Sequence, residues 1–339
     1  MQIEEYKNIK EYNTFMVPAV ARYFACATDN ESLYAILASD QWSRSEKHLV
    51  LGGGSNMLFI DNYDGFVLKN EIAGIDIVRE SDVDITMRVG AGESWHDFVM
   101  WSVERGYWGI ENLAYIPGTV GGAPVQNIGA YGVDVSSVID SVEYVALPDA
   151  EKKIRFHDEC EFGYRNSWFK KNIGTHIISH VYIILQKNGT PVLSYGKVAE
   201  VLREKNITQP TAQNIADVII EIRQSKLPEV GEIGMAGSFF KNPVISRSGF
   251  DKLQNKIPDI KYFALDNGDI KIPAGWILDY LGYKGFQNGN AGNYKKHALV
   301  VTHNGQGTGA EVWSHVQDII AKVQDEFGIV LEPEVNVIK

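Results

Sequence analysis

The segment IPGTVGGAPVQNIGAYG, from Ile116 to Gly132, holds five glycines and two prolines in seventeen residues and no charged side chain. A solvated linker would carry charge, so this is a structured loop. Glycine lets the backbone come close to a flat or phosphorylated ligand. Upstream, HLVLGGGSNMLFI sets Gly52, Gly53 and Gly54, then Ser55 and Asn56, between two strand-like runs. Successive glycine N–H groups make a concave nest for an anion, although a plain turn would use the same residues. Two such loops, separated by a strand hairpin and a helix, point to one bound dinucleotide. The dinucleotide fingerprint of the doubly wound fold is absent. Met57 stands where the third glycine of G-x-G-x-x-G belongs, and no amphipathic helix follows it. There is no G-x-x-x-x-G-K-[ST] loop either.

Around these loops the pattern alternates between helix and strand. Asn30 is a candidate cap for a helix carrying Leu33, Ile36 and Leu37 on one face. Ile85, Met87 and Val89 alternate with Thr86 and Arg88, as in a half-buried strand. Ser94 opens SWHDFVMWSVERG, with Asp97 three residues on and Gly106 as its stop. The runs VEYVAL and IISHVYIIL read as strands, and TAQNIADVIIEIRQSKLP reads as a helix ended by Pro228. From Pro228 to Gly309 the chain is rich in Gly, Asn and Lys, with short strands such as SFFKNPVI and one helix, PAGWILDYLG. Val312, Val316, Ile319, Ile320, Val323 and Phe327 recur at helical spacing, and the final IVLEPEVNVI is strand-like.

A chain of 339 residues exceeds what one core serves, so several lobes are expected. Its 32 Lys plus Arg against 43 Asp plus Glu, a net charge of −11, disfavour a general nucleic-acid binder but leave room for a local cationic pocket. Cys26 and Cys160 read as free, buried thiols in a reducing compartment. The polar start MQIEEYKNIKEYNTF lacks the apolar core of a signal peptide, and no run approaches the ~18 apolar residues of a membrane helix. A soluble cytoplasmic protein is therefore expected, with no membrane partner. His176 and His180 fall four apart in a strand pattern, about 13 Å along it, too far to share a metal. With no H-E-x-x-H and no paired C-x-x-C, no metal site is expected.

Several motifs together carry a resemblance. LGGGSN, GAGESW and ENLAYIPGTVGGAPVQNIGAYG resemble the FAD-binding domain of the vanillyl-alcohol-oxidase (PCMH) type. The ending QNIGAYG is similar to the enolpyruvoylglucosamine reductases, as are FGYRNSWF (Phe162 to Phe169), AGSFFKNP (Ala236 to Pro243) and LEPEV (Leu331 to Val335), in that family's order from about Asn13 to Val335. The resemblance implies an α+β protein. Residues 1–70, rejoined by the terminal strand 329–339, and residues 71–227 would form two lobes holding FAD; residues 228–328 would form an α+β domain for a UDP-sugar. It implies reduction of UDP-N-acetylglucosamine enolpyruvate to UDP-N-acetylmuramate by NADPH through FAD, for peptidoglycan. The flavin should be non-covalent, since tethering relatives use a histidine in or near the first glycine loop and this loop has none. A monomer is expected.

By the same resemblance, Gly52, Gly53, Gly54, Ser55 and Asn56 contact the cofactor. So do Pro117, Gly118, Gly122, Ala123, Gln126, Asn127, Gly129, Ala130, Tyr131, Gly132 and Tyr164. Arg165 and Glu334 would polarise the substrate carboxylate side, and Ser238 would donate the proton. A planar guanidinium matches a carboxylate, and Glu334 beside one would have to be protonated or bridged by Arg165. Tyr195, Lys226 and Asn242 fall near the UDP, with Lys284 a further substrate-side candidate. Tyr195 lies on an insertion found in one branch, where a tyrosine covers the diphosphate. The family's tyrosine near the uridine aligns with Phe263, with Tyr262 adjacent, so the source of that hydroxyl contact is left open by the alignment. Two rivals remain open: an oxygen-using flavin oxidase on the same fold, which needs no such trio, and a colourless, non-enzymatic UDP-sugar-binding protein.

Overall fold

The computed structural model describes residues 2–194, 196–229 and 231–339, and its helices and strands mix as an α+β protein. The chain forms two compact units. The first comprises Met1–Lys7, Ala21–Gly54 and Asp64–Ser225; the second comprises Asn8–Val20, Ser55–Tyr63 and Lys226–Lys339.

The first unit is organised by a five-stranded antiparallel sheet in the order Glu151–Phe156, Ile139–Ala146, His176–Gln186, Asp84–Gly90, Ile75–Glu80. Period-2 alternation sends Ile85, Met87, Val89, Val142, Ile183 and Leu185 into one core. The helices Trp95–Glu104 and Ala212–Lys226 bury their apolar faces in that same core. Val145 and Ile177 join a second cluster with Leu33, Ile36, Trp42, Phe66 and Leu68, contributed by the order Glu4–Asn8, Val20–Ala27, Tyr63–Asn70, His48–Leu51 and its helices. Among those apolar rows sits Glu143, 1% exposed and within 3.2 Å of Arg88, Lys152 and His180. Burial alone would raise its pKa, but hydrogen bonds from His180, Arg88 and Lys152 outweigh burial and hold the carboxyl well below the usual range.

The second unit contains a sheet in the order Gly234–Ser238, His297–His303, Ala291–Tyr294, Gln287–Asn288, and a smaller one in the order Val244–Ile245, Ile270–Lys271, Phe263–Ala264. Its long helix, Gly309–Phe327, starts in a capping box between Thr308 and Glu311 and stops at left-handed Gly328; Val312, Val316, Ile319 and Val323 are buried. Asn336–Ile338 runs parallel to Met57–Phe59.

Three expectations need correction. The early helix is capped by Asp29, whose carboxylate accepts from Ser32 N–H at 2.7 Å, so Asn30 lies inside it. Cys26 is only partly buried, at an alternating position of a strand, although burial still raises its thiol to about 11; Cys160 is buried. The strand-like tail shortens to Asn336–Ile338, because Glu332 to Glu334 pair with the segment after Ser238. Among the described residues, no helix is long and apolar enough to cross a membrane. Nor could any group of three His, Cys, Asp or Glu side chains there hold a metal.

Candidate active site

In the first unit, the two glycine-rich loops meet backbone to backbone. A Cβ on Gly53 would lie 2.8 Å from the Gly118 Cα, and one on Gly52 would lie 2.5 Å from the Thr119 hydroxyl. Gly118 has φ +120°, and its carbonyl accepts from Trp95 N–H at 3.0 Å. The segment 119–121 is pinned by Val120 N–H to Glu93 and Gly121 N–H to Ala91, both 2.9 Å. The short helix Gly122–Gln126 then ends at left-handed Asn127 (φ +43°). Asn127 is buried and ties two motifs together: its amide donates to Gly163 at 3.0 Å and accepts from Ser136 N–H at 3.1 Å.

Arg165 occupies a tight turn closed by mutual Gly163–Asn166 hydrogen bonds, and its own φ is +50°. Its guanidinium donates to Gly129 at 2.6 Å and to Asn127 at 3.4 Å, lies 3.7 Å from Asp134, and stands 5.3 Å from the Tyr164 ring. Tyr164 itself is 51% exposed. The structure thus gathers Gln126, Asn127, Gly129, Tyr164 and Arg165 into one place.

In the second unit, Ser238 ends its strand and is exposed. Phe239 accepts from Glu334 N–H at 2.7 Å, so Ser238 and Glu334 fall on neighbouring rungs of one antiparallel pairing. Asn56 steadies that pairing: its amide donates to the Glu334 carbonyl at 3.3 Å, and its carbonyl accepts from Asn336 N–H at 3.0 Å. Asn242 uses its Oδ1 to cap Ala274 N–H, 2.9 Å away, at the start of helix Ala274–Tyr280. Lys226 and Lys284 both bear on His297. Its pKa is lowered, first by burial and then by these two cations, with Asp279 opposing. Asp279 lies 3.9 Å from Lys284. Tyr195 lies outside the described residues.

Comparison with known proteins gives this geometry a family. The chain is 38% identical to UDP-N-acetylenolpyruvoylglucosamine reductase of Flavobacterium johnsoniae over 100% of both chains. It is 41% identical to that of Pasteurella multocida over 98% of this chain and 96% of the relative. It is 42% identical to that of Burkholderia multivorans over 95% and 93%. The chain belongs to the UDP-N-acetylenolpyruvoylglucosamine reductase family. Residues 228–338 match the family described as UDP-N-acetylenolpyruvoylglucosamine reductase, C-terminal domain, and residues 21–153 match FAD binding domain. The fold is like the crystal structure of UDP-N-acetylenolpyruvylglucosamine reductase from Thermus caldophilus, with TM-score 0.69 and 24% identity over 100% of both chains.

In this member of the reductase family, three side chains join these clusters without having been singled out in the sequence. Arg223 is partly buried; it donates to the Tyr115 carbonyl at 3.1 Å and interacts with the Tyr131 hydroxyl. Burial lowers its pKa, and the groups acting on it are tyrosine oxygens, with no carboxylate among them. Buried Asn112 donates to Tyr131 and Val192, both 2.9 Å, while its own carbonyl oxygen has no partner among the described residues. His297 is the third. Each sits in an ordinary helix, turn or strand, and only tertiary contact marks it.

Proposed function

We propose that the protein reduces UDP-N-acetylglucosamine enolpyruvate to UDP-N-acetylmuramate for peptidoglycan synthesis, using FAD and NADPH, as a cytoplasmic monomer. The observation that carries this reading is the end-to-end likeness, at 38% to 41% identity, to relatives named for that reaction. The first unit supports a flavin dinucleotide on its own terms. Two glycine loops touch with no room for a side chain at Gly52 or Gly53, and Arg223 is a half-buried cation with no carboxylate acting on it among the described residues, a charge that a diphosphate would meet. Gly52–Gly54, Pro117, Gly118, Gln126, Gly129–Gly132 and Arg223 would hold it. When bound, the flavin takes a hydride from NADPH and supplies it to the terminal carbon of the enolpyruvyl group.

The protein must then manage charge and a proton. Hydride addition leaves an electron pair on the neighbouring carbon, spread into the carboxylate. Arg165, already fixed by two carbonyls, offers a planar fork for that carboxylate. Ser238 donates the proton that completes addition across the double bond, and Glu334, one rung away, completes the polar set. Lys226, Lys284, Asn242 and Tyr195 take the UDP.

The test is anaerobic mixing with NADPH and then the enolpyruvyl substrate, following flavin absorbance. NADPH should bleach the flavin, the substrate should restore it, and mass spectrometry should find UDP-N-acetylmuramate. A reduced flavin that only oxygen reoxidises would support the oxidase reading. A colourless protein that cannot be reconstituted with FAD would sink both.

A further inference from the structure

Lys170 lies in the short helix Trp168–Lys171, a few residues beyond Arg165. Its ammonium donates to Gln126 Oε1 at 2.7 Å and to the Arg165 carbonyl at 3.0 Å. The first partner belongs to the glycine-rich loop and the second to the turn that carries the guanidinium. The left-handed φ of +50° at Arg165 redirects that carbonyl away from ordinary helix or sheet partners. Lys170 is the donor that meets it. An ammonium has three donors and no acceptor, so the Gln126 amide must turn its oxygen toward Lys170 and its NH₂ away.

A closed circuit results. Lys170 joins Gln126 to the Arg165 backbone, and the Arg165 guanidinium returns to the same loop at Gly129, 2.6 Å away. Ser167 adds a parallel tie, donating to Val125 at 2.8 Å and accepting Lys170 N–H at 3.2 Å. The guanidinium direction therefore depends on both ends of this circuit, and Lys170 holds the end that has no charge of its own.

We propose that Lys170 is a positioning residue: bridging the Gln126 amide and the Arg165 carbonyl, it aims the Arg165 guanidinium at the substrate carboxylate. This rests on the role given to Arg165 above, and the test separates the two claims. Lys170→Met keeps the aliphatic stem and removes the donors; Lys170→Arg restores donors. Flavin absorbance in stopped flow measures reduction by NADPH and reoxidation by the enolpyruvyl substrate separately. A misaimed group costs roughly 10- to 100-fold, so K170M should slow reoxidation by that factor. Reduction and FAD content should stay within about twofold. K170R should recover most of the rate. The double variant R165A/K170M should be no slower than R165A, since both act through one guanidinium.

If R165A reoxidises at the normal rate, the role of Arg165 itself is wrong. With R165A slow, three results would each overturn the positioning role of Lys170. These are a normal K170M, a K170M that slows both half-reactions equally or fails to fold with FAD, and a double variant showing the product of the two losses.

Discussion

Gly53→Ala adds one methyl group where the two glycine loops touch. Its Cβ would lie 2.8 Å from the Gly118 Cα and 3.2 Å from the Gly118 carbonyl carbon. Carbon atoms rest about 3.5 to 4.0 Å apart, so the loops must part by about 0.7 Å or more. Gly118 cannot easily yield: its φ of +120° is open only to glycine, and its carbonyl is bonded to Trp95. Overpacking of this kind costs about 1–3 kcal/mol. That cost divides between folding and cofactor binding according to whether FAD needs the loops closed. Felt wholly in binding, it would weaken FAD by roughly 5- to 150-fold. Thermal melts of the apoprotein and quenching of flavin fluorescence measure the two shares. Gly122→Ala is the control, because its Cβ would meet only the Thr119 hydroxyl, at 3.9 Å, at the start of a helix that favours alanine. Apoprotein stability should hold in that variant, and lost FAD affinity would put the ligand against Gly122. An unchanged melt together with FAD affinity within twofold for G53A would refute the contact between the loops.

Ser238→Ala should leave reduction by NADPH at full rate and slow reoxidation by the enolpyruvyl substrate roughly 10²- to 10⁴-fold; equal slowing of both halves would remove Ser238 as the acid. Lys226→Ala should raise KM for the sugar nucleotide with kcat largely kept, and an effect on kcat alone would move Lys226 away from the diphosphate. His176→Leu tests acid stability. His176 is 8% exposed among Tyr144, Trp168 and Phe169, and burial pushes it down to about 4 from 6.5. Its folded pKa is depressed, so its contribution is full above about pH 6.5 and is lost as pH falls toward 4. The loss is up to about 3 kcal/mol. Urea melts of the leucine variant should show a shallower decline across that window; an unchanged slope would mean that His176 is protonated in the folded state.

The loops were legible because their cause is local. The contact needs glycine at Gly53 and Gly118, both within glycine-rich runs, and Ser94 and Gly106 announce the ends of their helix within a few residues. What the sequence left hidden is set by distant partners. Asp29 displaces Asn30 as cap because its carboxylate reaches Ser32, a choice between adjacent residues that periodicity cannot make. The tail from Ile329 to Ile338 reads as one strand, yet Glu332 to Glu334 are taken up beside Phe239 to Lys241, some ninety residues earlier, and only Asn336–Ile338 remains a strand. Arg223 meets Tyr115 across 108 positions and Lys170 meets Gln126 across 44. Neither lysine nor arginine at a helix end is unusual until the chain closes around it.

The strain in the first unit ties these points together. Of nine non-glycine residues with positive φ in the described chain, three fall in Ile116–Gly132 and Phe162–Phe169, namely Asn127, Tyr131 and Arg165, and two more, Tyr115 and Glu161, immediately precede those segments. Such conformations cost about 1–3 kcal/mol each and persist only where the surroundings hold them. Here the restraints can be named. Asn127 is held by Gly163 and Ser136, Arg165 by Lys170, and Tyr131 by Asn112, which accepts no hydrogen bond from any described residue in return. A relaxed loop would turn the Asn127 and Gly129 carbonyls elsewhere, and those are the two carbonyls that hold the Arg165 guanidinium. Folding energy is therefore spent on the direction of one cation. That expense is intelligible if the cation must meet a carboxylate whose charge grows only as the reaction proceeds.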